Sequence, residues 1–149
     1  MKRTLFLLPL AALLSCAAHA AGPQQTARTP LRPISACIRL DQINEWHVVD
    51  PRTALVRTGP YRYQVKLQND CPRLGIGVPG LLFRPNESNK LVGQSRICGE
   101  VGETVQARNQ PPCAIASVSK IDKAQFDSLS KQAPRHGSAA DMPTTSPPK

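Results

Sequence analysis

Tyr61-Arg62-Tyr63-Gln64-Val65-Lys66-Leu67-Gln68-Asn69-Asp70-Cys71 is the stretch that decides the fold. Tyr61, Tyr63, Val65 and Leu67 alternate with Arg62, Gln64, Lys66 and Gln68, so β-forming side chains fall on one side and polar ones on the other. A strand with one dry and one wet face belongs to an antiparallel sheet. The inward set ends at Cys71, which predicts a covalent clamp where the strand stops.

Upstream, Trp46, Val48 and Asp50 alternate into a turn at Asp50-Pro51-Arg52. Thr53 to Thr58 is β-rich and turns at Gly59-Pro60, which predicts an antiparallel meander across residues 45–70. Cys37 to Ile43 reads as a short first strand. Downstream, residues 74–83 are apolar but glycine-rich, and Pro79 forbids a central ladder position there. Short strands are expected at Leu81–Phe83, Ser95–Cys98, Thr104–Arg108 and Cys113–Val118. Asp122 then reads as an N-cap with Gln125 at N3, and Ile121 and Phe126 form a hydrophobic staple. A helix from Lys123 to Gln132 follows, ended by Pro134. The fold class is therefore mainly β: a small antiparallel sheet or partly open barrel of six to seven strands, with a short C-terminal helix and two disulfides, over residues 37–133.

The flanks read differently. Residues 1–20 have Lys2 and Arg3, an apolar run from Leu5 to Leu14, and the small-x-small site Ala18-His19-Ala20, the pattern of a secretory signal peptide. Leu13-Leu14-Ser15-Cys16 also resembles a lipobox, in which Cys16 would be lipidated. The first fate gives a periplasmic protein, the second a chain lipid-anchored to an envelope membrane. Residues 21–36 form a proline-rich linker. Residues 134–149, with Pro143, Pro147 and Pro148, have too few apolar groups to fold and are expected to be a disordered tail containing His136.

Apart from Cys16, four cysteines remain, and an even count in an exported chain predicts two disulfides. A metal site is the rival, but no pair has C-x-x-C spacing. Of three possible connectivities the nested one is expected, Cys37 with Cys113 and Cys71 with Cys98, which would join the first and last strands and clip the middle loop. The net charge of +9 falls to +7 once Lys2 and Arg3 are removed, and no polybasic block appears.

Candidate chemistry is thin. Gly75-Ile76-Gly77-Val78-Pro79-Gly80 spells G-x-G-x-x-G, but Pro79 removes an amide and no helix follows, so a structural loop is expected. His47 alternates with Trp46 and should lie on the wet face. Glu100 and Glu103 share a turn as solvated charges, and Asp41 and Glu45 flank another. Arg57, Arg62 and Lys66 project from one sheet face and form a candidate basic surface for an envelope protein, a glycan or an anionic lipid. Nucleic acid is not expected, because the tyrosines point away from those cations. No cofactor and no metal are implied. A non-catalytic binding or structural module is the favoured reading, and a cryptic periplasmic hydrolase with carboxylates assembled by folding is the alternative.

Cys37-Ile38, Ile43, Trp46, Arg52-Thr53, Tyr63-x-Val65-x-Leu67, Cys71-Pro72-x-Leu74, Ile97-Cys98 and Cys113-x-Ile115 together resemble a domain family of unknown function, over roughly residues 36–122. Its members are small exported proteobacterial proteins, often lipoproteins. The chain departs from the family at residues 79–85 and in its lipobox. The resemblance implies no activity.

Overall fold

The computed structural model describes residues 33–91 and 95–139. The expected signal peptide, Cys16, residues 21–32 of the expected linker and the last ten residues lie outside them. The meander is present as β2 (Ile43–Asp50), β3 (Thr53–Thr58) and β4 (Tyr61–Leu67), paired antiparallel in sequence order. The long strand β8 (Cys113–Ile121) adds beside β4, with β7 (Thr104–Gln106) and then β5 (Leu82–Arg84) beyond it. On the other side of β2 lies β9 (Arg135–Ser138), so the seven-stranded sheet runs β5-β7-β8-β4-β3-β2-β9. A separate two-residue ladder joins β1 (Ile38–Arg39) to β6 (Arg96–Ile97). Two α-helices, α1 (Glu87–Leu91) and α2 (Lys123–Ser130), and two short 3-10 helices, Ile34–Ala36 and Leu40–Gln42, complete the described residues.

Alternation places the core. Tyr63, Val65 and Leu67 of β4 are buried with Trp46, Val48, Ala54, Val56, Ile115 and Val118 on one sheet face, and Ile38, Leu74, Phe83 and Ile97 close over them. Tyr61, expected inward, is 52% exposed, because it lies at the sheet end, where Lys120 Nζ sits 4.2 Å from its ring. The other face is only partly wet. Asp122 accepts from the Gln125 amide at 2.7 Å, as an N-cap should, and so starts α2 over β2 and β4. Phe126 is thereby buried, and so is Leu55 of β3, the strand between those two. That explains why Thr53, Ala54, Leu55 and Val56 are all buried in one strand.

The disulfides differ from the nested expectation: they join Cys37 to Cys98 and Cys71 to Cys113. Strand neighbours decide this. Cys37 and Cys98 flank the β1–β6 ladder, where Ile38 lies opposite Ile97. Cys71 follows β4, and Cys113 opens β8, the strand that β4 pairs with. The start of the expected tail is also ordered. Residues 135–138 carry no apolar pattern, yet they pair with β2, Gly137 opposite Trp46. A Cβ at Gly137 would fall on the Trp46 indole, so only glycine lets the strand close on that ring.

Candidate functional site

The three residues of the expected basic face do share one face. Arg57 lies directly opposite Arg62, and Lys66 follows four residues along β4, opposite Thr53. Their charges are engaged, however. Arg57 Nε donates to Glu45 Oε2 at 2.6 Å. The Arg62 guanidinium lies 5.9 Å from the Phe126 ring centroid and donates to the Pro60 carbonyl at 3.0 Å. Lys66 Nζ donates to Thr53 Oγ1 at 2.7 Å. The result is a half-covered polar face, with α2 lying across its middle.

Glu45 is the centre of this face. Its carboxylate bridges Arg57 and His47 Nε2, the latter at 2.7 Å. Burial pushes its carboxyl up, but the hydrogen bonds with His47 and Arg57 and the attraction of the Arg57 guanidinium outweigh that and hold it below the ordinary value. His47, expected on the wet face, is half-buried, because α2 and β9 flank it. Phe126 meets its ring edge-on at 5.5 Å, and the His136 ring lies 5.9 Å away. A shallow hollow beside these groups is lined by Glu45, His47, Arg57, His136, Gly137 and Ser138. Counting outward from the Asp50-Pro51-Arg52 turn would have paired Glu45 with Arg57, a signal present in the sequence.

The second pair of expected surface charges also resolves differently. Glu100 is exposed, but Glu103 is wholly buried. Its carboxylate accepts the amides of Cys98 at 2.9 Å, Gly99 at 2.6 Å and Glu100 at 3.0 Å, and the Asn89 side chain at 2.7 Å. The backbone of the turn folds around the charge and satisfies it, a structural role next to Cys98.

A second, more apolar concavity lies elsewhere, at the end of the sheet held by Cys71–Cys113. It measures about 390 Å³ and lies between residues 69–74 and 107–114. Pro72, Leu74, Ala107, Pro111, Pro112 and Ala114 give it apolar walls, and Asn69, Asp70, Arg73 and Gln110 supply polar groups. That size and mixture suit a small ligand or a short peptide segment. This cavity, the hollow at His47 and a third at residues 41–44 and 58–61 contain one carboxylate each: Asp70, Glu45 and Asp41. None gathers the pair that the hydrolase reading needs. Among the described residues, no three His, Cys, Asp or Glu side chains are grouped to hold a metal ion.

Residues 1–137 match a family model described as a family of unknown function, DUF6491. No curated protein and no solved structure matches the chain.

Proposed function

Since the chain belongs to the family of unknown function DUF6491, which lends it no activity, we propose from its geometry that it is an exported, disulfide-braced binding module without catalytic chemistry. The observation that carries this reading is the apolar cavity beside Cys71–Cys113. A disulfide and three prolines stiffen its walls, so a ligand entering it costs little ordering of the protein. The two bridges point to an oxidising, non-cytoplasmic compartment, and the signal-like residues 1–20 supply a route to one. The periplasm, or an envelope membrane if Cys16 is acylated, is the compartment that fits both features. The outer face with Arg57, Arg62 and Lys66 is the weaker binding surface, because Glu45 neutralises Arg57 and α2 overlies Arg62.

Photo-crosslinking in intact cells distinguishes the two surfaces. A crosslinking side chain at Gln110 is expected to capture the ligand, and one at Lys66 is expected not to. Capture at Lys66 alone would return the function to the outer sheet face.

A further inference from the structure

We infer that the loop over residues 74–80 docks on an anionic bilayer surface, seating Ile76 and Val78 among the lipid headgroups. This goes beyond the cavity reading and does not rest on it. The loop has two sides. Its underside is glycine: a Cβ at Gly75 would come 2.9 Å from Val48 Cγ2, and one at Gly80 would fall on the Trp46 ring. The loop closes through a hydrogen bond from the Gly75 amide to the Gly80 carbonyl at 3.0 Å. Arg135 and Arg108 hold it from outside, donating to the carbonyls of Leu74 at 2.7 Å and Val78 at 3.3 Å. The glycine spacing that spells a phosphate-binding motif therefore serves contact with Trp46, and the strand β5 follows it where such a motif needs a helix.

The upper side presents Ile76 and Val78, 47% and 61% exposed. Two branched apolar side chains held in water on a pinned loop add nothing to the core beneath. Their surroundings are cationic. Residues 71–86 contain Arg73 and Arg84 and no acid; the Arg73 carbonyl accepts the Ile76 amide at 3.2 Å, and Arg108 reaches the loop at the Val78 carbonyl, while Asp50, beyond Cys71, accepts the Arg52 amide at 2.7 Å. The neighbouring Asp70 lies 3.7 Å from Arg52. An apolar tip beside arginines, with no carboxylate in its own segment, complements an anionic headgroup layer over an apolar interior.

Vesicle flotation tests this. The protein is taken as secreted, carrying Cys16→Ser so that no acyl group contributes. It is expected to float with pure phosphatidylglycerol vesicles and not with pure phosphatidylcholine. Ile76→Asp with Val78→Asp should lower that binding about tenfold or more. Arg73→Glu with Arg108→Glu should lower it at least about fivefold per arginine. Lys66→Glu with Lys90→Glu, on β4 and α1 and outside the loop, should cost less than either pair. Should the aspartate pair disturb the fold, seen as a changed near-ultraviolet signal of Trp46, Ile76→Ser with Val78→Ser carries the same expectation. Absence of flotation, equal flotation on both lipids, or flotation indifferent to the loop substitutions overturns the proposal.

Discussion

Glu45 sets a pH dependence that follows from its two partners. Its folded value lies below its ordinary 4.5, so its bonds to His47 and Arg57 stabilise the fold above that value. The contribution drains away as pH falls below 4.5 through the folded value. Glu45→Gln is expected to lower stability by about 1 kcal/mol at neutral pH, since the site is partly solvated. The gap should close in acid, as urea midpoints at the two pH values would read. Glu103 marks the limit of sequence reading at this scale. Two glutamates three residues apart in a turn look alike in sequence. Only the folded turn shows that one is wet and the other is enclosed by three backbone amides.

Elements were legible where their signal was local. The alternation of β4 needs only its own residues, and the cap of α2 needs only Asp122 and Gln125. Arg57 and Arg62 could be placed on one face for the same reason, since a tight hairpin fixes their register. By contrast β9 has the sequence Arg-His-Gly-Ser, and its place depends on a fit against Trp46 some ninety residues earlier. The cavity at Cys71–Cys113 was illegible because two distant loops make it. The glycine contacts yield a test of both elements that touch the indole. Gly137→Ala and Gly80→Ala each force a methyl group into Trp46 and should cost about 1–3 kcal/mol. Hydrogen exchange should separate them, with Gly137→Ala releasing the amides of β9 and Gly80→Ala leaving them protected.

At the scale of the whole molecule, the bridges close long stretches of chain, with sequence separations of 61 and 42 residues. In the chain-entropy model each stabilises by about 4 kcal/mol, a large part of what a domain this small possesses. Replacing Cys37 and Cys98 by alanine is expected to lower the thermal midpoint sharply, because the bridge ties the two-residue ladder of β1 and β6 and closes the longer of the two loops. Replacing Cys71 and Cys113 should have an effect of similar size and also alter the cavity wall, so calorimetry with and without ligand separates the two. The sequence could count these bridges but not pair them, since pairing depends on which strands become neighbours.

The order of the pairing has a consequence for how the molecule matures. The first cysteine of the domain joins the third, and the second joins the fourth. A chain delivered N-terminus first into an oxidising space presents Cys37 and Cys71 together before Cys98 arrives. The earliest bridge open to it is therefore a wrong one. Where that bridge forms, reaching the native pair requires a thiolate to attack and exchange it, a reshuffling that takes seconds to hours. Refolding with an oxidant alone is therefore expected to give a mixture of bridges, and refolding with a disulfide isomerase added the native pairs, as non-reducing peptide mapping would read.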